Sequence, residues 1–129
     1  MCQKTGLGDL VSIESEVEWI FLKNTTSKLT IPDEYFIGLR KDDQSGQWRW
    51  LSNKSTSQTV LPWALGEPNG DGKCAAMYKD YTKEYGKYND LDCTIAARPG
   101  FICELPMDRC NQESKYCTFN AYRLFSALL

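Results

Sequence analysis

Gly66-Glu67-Pro68-Asn69-Gly70-Asp71-Gly72-Lys73-Cys74 and, after a charged, tyrosine-rich interval, Tyr88-Asn89-Asp90-Leu91-Asp92-Cys93 are the stretches on which the reading of this chain turns. Each places oxygen-bearing side chains in a tight group: Glu67 with Asn69, and Asn89 with Asp90. Taken alone, Glu67-Pro68-Asn69 reads as an ordinary surface turn, because Pro, Asn and Gly are turn residues everywhere. Upstream, residues 52–71 run past Trp63 without a clear period. A segment of that length in a small domain is more often functional than connective.

The chain has 129 residues, 42% of them hydrophobic, which suits one domain with one packed core. A formal charge of -2 lacks the cation surplus that a phosphate backbone requires, so nucleic acid is not an expected partner. There is no histidine. That removes His-based acid/base catalysis, triads with a His base, and His-containing zinc sites. An enzyme would have to work with carboxylates, Lys or Tyr, and the obvious acids are better explained otherwise, so no enzyme is expected.

Six cysteines, none in a CxxC pair, favour disulfides and an oxidising compartment, with about 15 pairings open. Two acceptor sequons, Asn24-Thr25-Thr26 and Asn53-Lys54-Ser55, agree with a secretory route and a glycoprotein. No run of about 18 apolar residues occurs, so membrane insertion of this segment is not expected. The start, Met1-Cys2-Gln3-Lys4, carries no signal pattern.

Working outward, Ser15-Glu16-Val17-Glu18 forms a capping box, and Val17, Ile20 and Phe21 recur at helical spacing, which predicts a helix over 16–23 with that face inward. Residues 24–28 read as a polar loop. Tyr35-Phe36-Ile37-Gly38-Leu39 and Gln47-Trp48-Arg49-Trp50-Leu51 read as neighbouring strands, with Cys74-Ala75-Ala76-Met77-Tyr78 and Gly100-Phe101-Ile102-Cys103-Glu104 as two more. Trp48, Trp50 and Trp63 are expected in the core and Trp19 half-buried on the helix. The lysines at 79, 83 and 87, balanced by Asp80 and Glu84, read as a solvated loop.

In order, Cys2, Leu10-Val11-Ser12-Ile13, Phe36-Ile37-Gly38-Leu39, Gly46-Gln47-Trp48-Arg49-Trp50, Trp63, Gly66-Glu67-Pro68-Asn69, Cys74, Tyr88-Asn89-Asp90, Cys93 and Phe101-Ile102-Cys103-Glu104 resemble the C-type lectin domain family. The resemblance covers residues 1–105 as one domain and leaves 106–129 as a tail of unassigned role. It implies an α+β fold of antiparallel sheets with a long central ligand-binding loop. It also implies disulfides Cys2 to Cys103 and Cys74 to Cys93, which leaves Cys110 to Cys117 as the third pair. The family's N-terminal strand and most of its first helix would precede Cys2. Without that strand, residues 100–104 are expected to carry an unpaired sheet edge.

The same resemblance implies one calcium ion held by Glu67, Asn69, Asn89 and Asp90. These side chains are the hard oxygen donors that calcium takes. A cis bond at Glu67-Pro68 would aim both flanking side chains at one point. Vicinal hydroxyls of a sugar would replace water on the ion while bonding to the same four side chains. The order Glu-Pro-Asn goes, in the family, with mannose, N-acetylglucosamine and fucose. Two places depart from the pattern. Gly72 stands where a further Glu ligand often sits, leaving Asp71 or water as candidates, and Tyr88 replaces a Trp as a packing aromatic. The auxiliary calcium site is expected to be absent, since its places hold Lys41, Ser45 and Gly70.

Glycans or glycoproteins are therefore the expected partners, at the cell surface or outside it. Clustering of copies in a homo-oligomer would compensate for weak single-site binding. The competing expectation is a lectin-like fold that binds a protein or another non-sugar ligand without calcium.

Overall fold

The computed structural model describes residue 2 and residues 9–28, 33–51, 61–78, 84–94, 100–104 and 122–125. Residues 52–60, 79–83, Cys110 and Cys117 lie outside them, and with them the Asn53 sequon, the expected third disulfide and part of the lysine loop.

Strand β1 (Asp9–Leu10) leads into α1 (Glu16–Ser27), followed by β2 (Glu34–Lys41), β3 (Trp48–Trp50), β4 (Cys74–Tyr78), β5 (Tyr88–Leu91), β6 (Gly100–Glu104) and β7 (Tyr122–Phe125). They form one sheet in the order β1-β6-β2-β4-β5, with β3 paired to β2 and β7 to β6. The four expected strands are present, and β5 forms over the Tyr88-Asn89-Asp90 motif. Most pairings are antiparallel, but β2 and β6 run parallel with Tyr35 opposite Gly100, so the sheet is mixed. No helix among the described residues is long and apolar enough to cross a membrane.

Period-two alternation gives the sheet two faces. Tyr35, Ile37, Leu39, Ala75, Met77 and Tyr88 join Val11, Leu22 and Trp50 in the main core. Phe36, Ala76 and Leu91 form a smaller cluster on the other face. Val11 donates to Ile102 O (2.9 Å) and accepts from Gly38 N (2.7 Å), so the entering chain wedges between β6 and β2. A Cβ on Gly38 would lie 2.7 Å from Leu10 O and 2.8 Å from Val11 O, which is why glycine stands there. Trp50 is buried, and Trp48 and Trp63 pack edge to face against each other, centroids 4.9 Å apart. Trp19 is half-buried and donates its indole N–H to Gly86 O (2.7 Å), pinning α1 to the loop before β5.

Three expectations need correcting. The helix runs on to Ser27 rather than ending at 23, because the hydroxyls of Thr25, Thr26 and Ser27 bond back to carbonyls of the last turns, turning polar residues into helix-compatible ones. Its Val17, Ile20 and Phe21 face points outward, and the buried positions are Leu22 and Thr26. The expected bare edge of β6 is covered: β7 pairs with it antiparallel, Ile102 opposite Leu124 and Cys103 opposite Arg123. Part of the tail thus completes the sheet.

Removing residues 122–129 should lower the urea midpoint and promote dimers or larger species, because β6 loses its outer ladder. Chemical denaturation and light scattering check this; an unchanged midpoint with a monomeric truncation contradicts the role given to β7.

Candidate functional site

Disulfides Cys2–Cys103 and Cys74–Cys93 form with Cα separations of 5.7 and 5.2 Å. The second ties the start of β4 to the second residue beyond β5, holding the Glu67-Pro68-Asn69 loop and the Asn89-Asp90 strand at one end of the sheet. The loop is fastened to Tyr88 by paired backbone bonds, Ala64 N to Tyr88 O (2.9 Å) and Tyr88 N to Pro62 O (2.8 Å). Tyr88 itself is buried against Trp50 and Trp63, a packing aromatic as expected.

After Trp63, Glu67 N donates to Ala64 O (3.0 Å), with Gly66 at φ +80°, closing a turn that only glycine makes without strain. The Glu67–Pro68 bond is cis, as expected for a proline between two side chains aimed at one point.

Asp90 organises the loop from Asn69 to Gly72. It is only 1% exposed, yet its carboxylate accepts from three backbone N–H groups: Asn69 (2.9 Å), Gly70 (2.9 Å) and Gly72 (3.2 Å). Burial pushes its pKa up, but the bonds from Asn69 N, Glu67, Gly72 N and Gly70 N outweigh that and hold it below the usual carboxylate range. Glu67 lies against it and shares a hydrogen bond with it. Burial, the bond to Asp90 and the negative charges of Asp90 and Asp71 push Glu67 up to about 7, while the N–H of Asn69 pulls the other way.

The structure therefore brings together Glu67, Asn69 and Asp90, with Asp71 near enough to act on Glu67. The side-chain oxygen of Asn69 accepts from Asp71 N (3.1 Å). Asn89 goes elsewhere. It pairs across the ladder with Ala76, on the face opposite Asp90, and its side chain bonds the Glu34 carboxyl at the start of β2. Burial raises Glu34, and the Asn89 bond opposes that rise. Glu34 is the residue sequence reasoning missed, since nothing local links it to the motif.

Gly72 has a physical reading of its own. A Cβ there would stand 2.0 Å from Leu91 C and O and 2.3 Å from Asp92 N, all backbone. No side chain fits, so a glutamate ligand cannot stand at this position without displacing the end of β5. Nearby, Asp42 accepts from Ser45 N and Oγ, and Asp43 pairs with Lys73 at the surface, so both belong to a solvated turn.

As a donor set, Glu67, Asn69, Asp90 and Asp71 offer hard oxygens and no soft ligand. Among the described residues no group of three or more His, Cys, Asp or Glu side chains is gathered closely enough to hold a metal ion, and the structure shows a hydrogen-bonded carboxyl pair with an amide beside it.

The profile of the Lectin C-type domain family matches residues 1–105. E-selectin of Bos taurus is 40% identical over 97 residues, which is 72% of this chain but 19% of that protein. Among solved structures, human lithostathine superposes with a TM-score of 0.66 at 24% identity, over 81% of this chain and 77% of that one, a likeness of fold. The carbohydrate-recognition domain of cow CD23, solved in the presence of a GlcNAc2Man3 oligosaccharide, gives 0.56 at 33% identity over 71% of this chain and 64% of its own.

Asp90→Ala should leave three loop N–H groups without their acceptor and cost about 3 kcal/mol of stability. Urea unfolding in EDTA measures it; a loss under about 0.5 kcal/mol would show that the loop holds without Asp90.

Proposed function

The chain belongs to the C-type lectin domain family, and from that we propose that it is a calcium-dependent carbohydrate-binding module for mannose, N-acetylglucosamine or fucose-type sugars, working outside the cell or at its surface. The observation that carries the reading is the pair of hydrogen-bonded carboxyl groups, Glu67 and Asp90, with Asn69 beside them. We place one calcium ion there, with Glu67, Asn69 and Asp90 as ligands and Asp71 in support. Asn89 joins the set only by leaving Glu34, a step that a bound cation would favour and a metal-free site does not.

The ion supplies incomplete oxygen coordination that two vicinal hydroxyls finish. This chain's residues do the sorting. The Glu67 carboxylate accepts hydroxyl protons and the Asn69 amide donates to hydroxyl oxygens, while Asp90, its oxygens taken by three backbone N–H groups, holds the loop in place beside them. The role is binding rather than catalysis. Glycans or glycoproteins are the partners we propose, with several copies acting together, because one shallow polar site binds weakly.

The bond between Asn89 and Glu34 favours a second reading, a lectin-like module that recognises a protein or other non-sugar ligand without calcium. Calorimetry separates the two: a saturable calcium heat belongs to the first alone.

With calcium present, the protein should be retained on immobilised mannose and released by EDTA, and Glu67→Ala should remove retention while leaving the fold intact by circular dichroism. Retention that persists in EDTA, or never occurs with calcium, refutes the proposal. Glu67, at about 7, must also give up its proton to ligate the ion. Calcium affinity should therefore rise with pH up to about 7 and level off above it, with protons released on binding at about pH 6.5. An indicator-dye titration reads that release, and its absence contradicts a proton held on Glu67 in the metal-free site.

A further inference from the structure

Helix α1 buries Leu22 but leaves three other apolar residues exposed. Val17 is 78% exposed, Ile20 43% and Phe21 42%. At about 100° per residue, these three and Asn24 fall within about 100° of the helix circumference, with Asn24 near the middle of the span and Leu22 and Thr26 on the opposite side. An apolar stripe facing solvent is normally a covered surface. Here the residue centred on it begins an acceptor tripeptide, Asn24-Thr25-Thr26. Asn24 is exposed, its backbone carbonyl accepts from Ser27 Oγ (2.7 Å), and no hydrogen bond among the described residues engages its side-chain amide.

We propose that Asn24 carries an N-linked glycan whose inner sugars lie along α1 and cover Val17, Ile20 and Phe21. Phe21 stands one turn below the attachment point and Val17 two turns, about 5 and 10 Å along the axis, a span that the first few rings bridge. Their C–H faces meet the apolar side chains while their hydroxyls stay in water.

In the transfer, Nδ2 of Asn24 attacks C1 of a polyprenyl-diphosphate-linked oligosaccharide. The N–C1 bond forms, the C1–O bond breaks, the diphosphate leaves with the electron pair, and the amide nitrogen releases one proton. Nothing is oxidised or reduced. The transfer precedes folding of α1, because the Thr26 hydroxyl that the acceptor must present is fully buried in the helix. There it donates to Leu22 O (2.9 Å) and Lys23 O (3.1 Å). The modification is independent of the calcium reading: a chain that binds no sugar is modified all the same.

The test expresses the whole chain behind a secretion signal in cultured animal cells. Peptide-level mass spectrometry after treatment with peptide N-glycosidase F, which converts the glycosylated Asn to Asp, reads Asn24 and Asn53 separately. Asn24 should be occupied. Enzymatic release of glycan from the folded protein should raise binding of an apolar dye several-fold and cause self-association, and Asn24→Gln should do the same. Adding Val17→Ser and Ile20→Ser should reverse both effects. Secreted, disulfide-bonded protein with Asn24 unmodified overturns the proposal. Full occupancy with unchanged dye binding and size after release overturns the covering role.

Discussion

A buried carboxylate with three backbone N–H groups around it is the constraint on which this end of the molecule depends. Removing a charge from water is costly unless every acceptor position is filled. Asp90 meets that condition through Asn69, Gly70 and Gly72, with Glu67 adding a fourth contact. The consequence runs both ways: the strand fixes the loop, and the loop's amides keep Asp90 ionised. Because Gly72 must pass against the backbone of Leu91 and Asp92, the loop has almost no freedom in how it returns to β4. Glu67 is carried into contact with Asp90 by the same geometry, and its proton affinity rises as a result.

That arrangement rests on the core beneath it. Tyr88 is buried in the main cluster and bonds through its backbone to both sides of Trp63, so the aromatic packing of Trp48, Trp50, Trp63 and Tyr88 sets the height of the loop above the sheet. The Cys74–Cys93 bridge holds the far ends of the same two segments. On the opposite side, Trp19 ties α1 to Gly86 just before β5, and Lys23 and Lys87 lie over its ring at 5.0 and 5.7 Å. Helix, loop and strand are thus linked through a few aromatic side chains rather than through a broad interface.

Much of this was legible from residues in order. Aromatic and branched runs marked β2 and β3, and short apolar runs marked β4 and β6, because such side chains fill a pleated, half-buried surface. The capping box placed the start of α1, where Ser15 Oγ accepts from Glu18 N (3.1 Å). The helix's end and inward face were not legible. Hydroxyls closing on carbonyls look like loop chemistry in sequence, and an apolar stripe cannot announce whether it meets the core or water.

Alone, the sequence determined which chemistry was present: no histidine, hard oxygens in two clusters, cysteines flanking them, and the kind of elements between. Which of those oxygens meet was decided only by the tertiary structure. Adjacent residues of a strand point to opposite faces, so Asn89 and Asp90, neighbours in the chain, part company. Asp90 goes to the loop and Asn89 to Glu34, a residue far away in sequence. Strand register and the order of strands in the sheet set that outcome, and both are long-range properties that no local pattern encodes. The pairing of β7 with β6 has the same origin, since a partner strand is chosen by which edge is left open.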